Sequence, residues 1–249
     1  EAIAVFATPD HPAYGMGMFH RLPQTMASLK ALPESFKTGI GLDYDSHGPE
    51  GAVGIERSFE PWSRSYLLPV VLPALDGAVH RLEAGAKVAD IGCGAGGAAI
   101  RMAQAFPKAT VTGYDISRYA LDRALEKKSI DATTNVHFVD PRVTPLPLDE
   151  SLDIVTAFDC IHDMTHPQEV MEAIRRSLKP DGIWLLVDIK ALDTFGENMA
   201  KNPMASLMYG ISVMSCMSSA MSVAGGAGPA MDGLRPRAAT HRDRYTSLS

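Results

Sequence analysis

The stretch Lys87-Val-Ala-Asp-Ile-Gly-Cys-Gly-Ala-Gly-Gly97 constrains this chain more than any other. Its apolar residues read as a buried strand, and the glycines that follow let the backbone turn sharply and approach a ligand closely. Residues 98–106 continue as a helix whose first N–H groups lack partners within it and point at that ligand. Strand, glycine turn and helix in this order make a nucleotide-type site. Gly92, Gly94 and Gly97 satisfy the dinucleotide pattern G-x-G-x-x-G literally. Two details point elsewhere. Asp90 stands two residues before the first glycine, where a dinucleotide fingerprint has an apolar residue, and Gly92, Gly94 and Gly96 fall at alternate positions. A purely structural turn is the third reading.

Beyond the glycine turn, strand and helix patterns alternate. Strands are expected over 110–116, 135–139, 151–158 and 183–189, and helices over 117–128, capped by Ser117, and 166–178. Lys179-Pro-Asp-Gly182 is a strong stop signal for the second helix. Near-continuous apolar strands between helices indicate a parallel sheet covered on both faces. Right-handed crossovers then give an α/β, Rossmann-like, doubly wound fold with its ligand at the carboxyl ends of the strands. Three regions are expected: a helical and loop N-terminal region over 1–80, the core over 81–195, and a Met-rich helix with a polar tail over 196–249. In the first, helical patterns over 16–32 and 60–80 are interrupted by Pro23, Pro33, Pro69 and Pro73, with a breaker-rich loop over 38–49 between them.

The Asp-Ile-Gly-Cys-Gly-Ala-Gly core resembles the first motif of class I S-adenosylmethionine methyltransferases, and the resemblance extends over about 82–189. It implies S-adenosylmethionine as cofactor and S-adenosylhomocysteine as product. It implies that Gly92, Cys93, Gly94 and Gly96 line the methionine part and that Asp90 helps hold the amino group. Asp115, followed by Ile116, resembles the acid that accepts from both ribose hydroxyls, although a helix N-cap is its plainer reading and the role suits NAD equally. Asp140 and Pro141 stand where the family has an acid that accepts from the adenine amino group; a turn aspartate is the alternative. Phe158 and Asp159, at the end of the fourth strand, would border the cofactor. Ile161-His162-Asp163 resembles the Leu-His-Asp of plant-type small-molecule O-methyltransferases, which implies His162 as general base, with Asp163 or Asp159 orienting its ring. The other reading of these residues is pocket lining.

The segment from Glu60 to Gly77 resembles methyltransferases with an upstream winged-helix domain. That implies a non-catalytic, cofactor-sensing regulator as the alternative function, and a homodimer is compatible with it. Net charge is −6, with nothing to favour nucleic acid, so a small-molecule acceptor is expected. Three widely spaced cysteines form neither a disulfide framework nor a zinc pattern, which fits the cytoplasm, and no metal is called for. No apolar run is long enough to span a bilayer. The chain begins at Glu1 without methionine, which suggests missing upstream sequence. The two closing strands usual in the class I fold have no counterpart after Val223, as though the chain were truncated or frame-shifted or its edge covered by a partner. The Arg235, Arg237, Arg242 and Arg244 stretch reads as a solvated tail.

Overall fold

A computed structural model describes residues 1–226; the arginine-bearing end lies outside them. Its centre is a five-stranded sheet: β1 (Lys87–Ile91), β2 (Thr110–Tyr114), β3 (Val136–Val139), β4 (Leu152–Phe158) and β5 (Leu178–Val187). The spatial order is β3-β2-β1-β4-β5, and every neighbouring pair is parallel. Helices Gly97–Ala105, Arg118–Ile130 and Pro167–Ser177 connect successive parallel strands. The order reverses between β1 and β4, so the chain leaves these two neighbours in opposite directions and opens a crevice at their carboxyl ends.

Alternation along the strands divides the core. Val88, Val111, Val136 and Ile154 point to one face, with Leu67, Leu72, Leu82, Ile100 and Met102 against them. Ala89, Ile91, Val155 and Ala157 point to the other and meet Ile161 and Ile174. The Pro-interrupted N-terminal region therefore supplies one of the two covers of the sheet. Asn135 closes the β2 end of the core by donating from its amide to the carbonyls of Ala103, Phe106 and Ala109, at 2.9, 3.3 and 2.8 Å.

Some expected boundaries move. The fifth strand begins at Leu178, five residues before the expected start. Leu178 pairs with Leu152 but Ile183 pairs with Ile154, so the intervening Lys-Pro-Asp-Gly bulges out of register rather than forming a separate turn. The Met-rich segment is two helices, Ala205–Met214 and Cys216–Ala220, broken at Ser215. Ser215 is buried; its hydroxyl accepts from Arg21 Nη2 at 3.1 Å and lies 3.2 Å from His47 Nε2. Tertiary hydrogen bonds there replace helical continuity. Pro69 falls in a π-helical segment, Ser63–Val71, so part of the expected break is a change of winding.

The N-terminal cover is tied to the core by ions. Glu56, on helix Gly48–Trp62, accepts from Arg123 Nε at 2.5 Å and faces Lys127 Nζ at 3.1 Å. Glu60 pairs with Arg101 and lies 3.5 Å from Lys127 Nζ. Burial alone would raise the Glu56 carboxyl, but the two cations outweigh it and hold it below its usual value. No helix of the described residues is long and apolar enough to cross a membrane.

Candidate functional site

A cavity of about 700 Å³ opens at the carboxyl ends of β1, β2 and β4, a size typical of small-molecule sites. Its floor is the glycine turn. Gly92, Gly94 and Gly96 all have positive φ, at 63°, 54° and 73°. A Cβ on Gly92 would lie 2.6 Å from Cys160 Cβ, and one on Gly96 would lie 2.4 Å from Phe138 Cζ. At Gly94 a Cβ would meet nothing within 4 Å, so that position faces open cavity. Two glycines are thus needed for packing and the third for close approach. Cys93 N–H donates to the Tyr114 carbonyl at 3.0 Å and joins the turn to the end of β2.

Asp90 is 1% exposed. Its Oδ1 accepts from the Thr156 hydroxyl at 2.6 Å, and its buried Oδ2 has no partner. Burial pushes its carboxyl up to about 7, and the negative charge of Asp115 adds to the rise against the lowering effect of the Thr156 hydrogen bond. Such a carboxylate is suited to a cationic ligand group, which would supply the missing partner. Asp115 sits beside it, accepting from Gly94 N–H and Ser117 N–H at 2.8 Å each and still facing the cavity. The helix cap itself is Ser117, whose hydroxyl accepts from Ala120 N–H at 3.3 Å. Asp115 is therefore not the cap. Ile116, Pro141 and Phe158 line the cavity, the last against Trp62 with ring centroids 5.5 Å apart. The buried Asp90 oxygen, the open Gly94 cradle and the Asp115 carboxylate fit the cationic, ribose-bearing cofactor that the motif implies.

Asp140 is not brought to the cavity. Its carboxylate is held by Arg142 through contacts of 2.6–3.0 Å and accepts Arg142 N–H at 2.9 Å, which holds its carboxyl below the usual range. This is the turn-aspartate arrangement, with Arg142 rather than Asp140 lining the cavity.

Opposite the glycine turn, the chain leaves β4 through Asp159, a non-glycine residue at φ 52°. Its N–H donates to the Val187 carbonyl at 2.7 Å, which ties the turn to β5. The short 3-10 turn Ile161–Asp163 then places His162 and Asp163 on the cavity wall. The carboxylate that binds the imidazole is Asp188, not Asp159 or Asp163: His162 Nδ1 and Asp188 Oδ1 are 2.6 Å apart. Burial alone would lower the His162 pKa, but the Asp188 hydrogen bond, with help from Cys216, outweighs it and pushes the value up to about 11. The Asp188 carboxylate thus favours the protonated ring over a ready general base, unless a bound cation displaces the Nε2 proton. Burial pushes Asp163 up to about 7 despite the nearby imidazolium.

Sequence reasoning missed Asp188, Tyr44, Arg21 and Cys216, all at this site. Asp188 carried a usable signal, since it directly follows an apolar strand whose carboxyl end borders the crevice. The other three come from the covers: Arg21 and Tyr44 from the N-terminal region, and Cys216 from the start of the last described helix. Burial raises the Tyr44 hydroxyl well above its ordinary value, with the charge of Asp163 adding to it.

Residues 82–228 match the family model described as a methyltransferase domain. The chain is 37% identical over 110 residues to 27-O-demethylrifamycin SV methyltransferase of Amycolatopsis mediterranei, a match covering 43% of this chain and 40% of that one. It is 33% identical over 111 residues to a ubiquinone biosynthesis O-methyltransferase of Haemophilus ducreyi, covering 42% and 46%. The chain thus spans less than half the length of these curated relatives. The solved structure of mitomycin 7-O-methyltransferase MmcR aligns over 87% of this chain and 63% of its own, with a TM-score of 0.56 and 17% identity, a likeness of fold.

Proposed function

The chain belongs to the class I S-adenosylmethionine-dependent methyltransferases, and from that premise we propose that it transfers a methyl group to a small-molecule acceptor bound beside His162 and Asp163. When bound, the cofactor supplies an electrophilic methyl group on a sulfonium. The observation that carries the assignment of its site is the buried, half-partnered carboxylate of Asp90 beside the open Gly94. Asp90 would hold the ammonium group, with Thr156 keeping the carboxylate in place. Gly92, Cys93, Gly94 and Gly96 would pass the methionine part close to the backbone. Asp115 would accept from the ribose diol with the lone pairs left by Gly94 and Ser117. Ile116 and Pro141 would flank the adenine, and Arg142 anchors the turn that carries Pro141 by holding Asp140.

On the other side, Phe158 and Asp159 would separate the cofactor from the acceptor. His162 and Asp163 would face the acceptor, with Asp188 as the positioning residue for the imidazole. Segments 1–80 and 196–226 would act as the cover that excludes water, because Arg21, Tyr44 and Cys216 reach the cavity from them. Holding two reactants in line in a shielded cavity is the main contribution such a site makes.

Calorimetric titration with S-adenosylhomocysteine, with NAD as control, tests the cofactor assignment. Binding of the former alone, weakened at least tenfold in Asp115→Asn, is expected. Equal binding of NAD, or an unaltered affinity in that variant, would refute it.

A further inference from the structure

The cavity wall opposite the glycine turn carries a mixed set of metal-binding groups. One ligand atom each from His162, Asp163 and Cys216 lies within 4.8 Å of the other two. All three residues line the cavity, and each is only partly exposed. We propose that this trio is a zinc site, with His162, Asp163 and Cys216 as protein ligands and a fourth position open to the cavity.

Three observations support it. First, the donor set is nitrogen, sulfur and carboxylate oxygen. A thiolate selects zinc over magnesium or calcium, and three protein ligands with one open position is the arrangement of catalytic rather than structural zinc. Second, Asp188 takes His162 Nδ1 at 2.6 Å, which leaves Nε2 as the ligating atom. Metal-bound histidines almost always give their other nitrogen to a carboxylate or carbonyl in this way. The same Asp188 oxygen accepts from Ile189 N–H at 2.7 Å, which fixes the carboxylate against the ring. Third, the three ligand atoms are already gathered, each within 4.8 Å of the other two. Bonds of about 2.0–2.3 Å to a tetrahedral ion place ligands about 3.5 Å apart, a separation inside that limit.

Asp159, His162 and Asp188 form a second trio within the same distance limit. It lacks sulfur and would consume the Asp188 contact that orients the ring, so the first trio is the one assigned. An ion there would give an acceptor hydroxyl or thiol a positive charge to sit on and would favour loss of its proton to solvent. That use rests on the methyltransferase reading; the metal site itself does not.

The test uses the full chain, stripped with a chelator and titrated with cobalt(II) and with zinc, while S-adenosylhomocysteine binding is followed separately. About one ion per chain is expected, with the near-ultraviolet charge-transfer absorption of a cobalt–thiolate bond. Cys216→Ser should abolish that absorption, and Asp188→Asn should weaken zinc binding by about 10–100-fold. Substoichiometric binding, no thiolate band, or a band that survives in Cys216→Ser would overturn the site. So would zinc binding left unchanged by Cys216→Ser, which would put the ion on the second trio. If a variant fails to fold, stoichiometry and the thiolate band of the unaltered chain decide the matter alone. A chain that binds the cofactor product but takes up no metal would sink the zinc site and leave the methyltransferase reading intact; one that takes up metal but never binds the cofactor product would do the reverse.

Discussion

Gly94 and Gly96 are two residues apart, share a left-handed backbone, and should respond to the same substitution in opposite ways. Alanine at a left-handed position costs about 1–2 kcal/mol. At Gly94 that is the whole structural cost, because the added Cβ meets nothing within 4 Å. At Gly96 the Cβ would lie 2.4 and 2.6 Å from Phe138 Cζ and Cε1 and 3.1 Å from Ala124 Cβ. Phe138 is on β3 and Ala124 is on the helix packed against it, so neither yields freely. Overpacking of this kind adds about 1–3 kcal/mol, for a total of roughly 2–5 kcal/mol. In a domain of this size each kcal/mol moves Tm by about 2–4 °C. Gly96→Ala should therefore lower Tm by roughly 4–20 °C, and Gly94→Ala by roughly 2–8 °C. Binding should separate them the other way. The Gly94 methyl occupies the place where the ligand approaches the backbone, so S-adenosylhomocysteine affinity should fall at least tenfold in a chain that is still folded. Phe138→Leu should recover part of the Gly96→Ala loss, since it removes the ring atoms that the new methyl meets. Thermal unfolding and calorimetry on the same samples check this. An unchanged affinity in Gly94→Ala, or a larger loss of Tm there than in Gly96→Ala, would refute the division of roles within the turn.

Asp90 makes stability and binding depend on pH. Its folded-state pKa, about 7, is above the unfolded value of about 3.9, so the folded chain binds the extra proton between these pH values. Stability should decline as pH rises through that window, by at most about 1.4 kcal/mol per pH unit, and Asp90→Asn should flatten the slope in thermal unfolding at constant ionic strength. Binding of the cationic cofactor product needs the ionised form, so affinity should rise from pH 6 to pH 8 with proton release, seen by calorimetry in buffers of different ionisation enthalpy; an equal slope in Asp90→Asn would count against it. Glu56→Gln should cost about 1–3 kcal/mol by leaving Arg123 and Lys127 without their shared partner, and a Tm unchanged within error would show the ion cluster to be incidental. Because the Glu56 carboxyl is held below its ordinary value, its contribution should be full above that value and disappear as pH falls through the lowered one. Asn135→Ala should cost about 1–3 kcal/mol, since one amide satisfies three carbonyls, with urea unfolding as the check.

The parallel sheet and the glycine turn were readable because both are local. The Val88–Ile91 run, the glycine spacing and the Ser117 cap each express themselves within a few residues. What was hidden depends on contacts between distant segments. Ser215 sits in an apolar helical pattern, and only Arg21 and His47, far away in the chain, show why the helix breaks there. Lys179-Pro-Asp-Gly182 has the composition of a turn, yet β4 imposes a register on both sides of it and makes it a bulge. Asp140 followed the right strand for an adenine contact, but Arg142 two residues on captures its carboxylate, and a motif match does not report that competition. Asp159 and Asp163 were reasonable partners for His162 by proximity in sequence. Asp188 is the partner because β5 is parallel to β4 and ends beside it.

That last pairing follows from topology. In a sheet ordered β3-β2-β1-β4-β5, the carboxyl ends of β1 and β2 supply one half of the crevice and those of β4 and β5 the other. The first half holds Asp90 and Asp115, each immobilised by hydrogen bonds to hydroxyl or backbone donors. The second half holds His162, Asp163 and Asp188, and there the Asp188 carboxylate is already taken by the imidazole. A carboxylate held by neutral donors retains its attraction for an ammonium group, whereas Asp188 is already paired with the imidazole. The cationic end of the cofactor should therefore be drawn to the β1 side and leave the β4–β5 side free for the acceptor. Exchanging Asp188 for Asn removes one negative charge from the second half only. It should change cofactor-product affinity less than threefold while altering the acceptor side, and an effect as large as that of Asp115→Asn would show that the two halves are not separate.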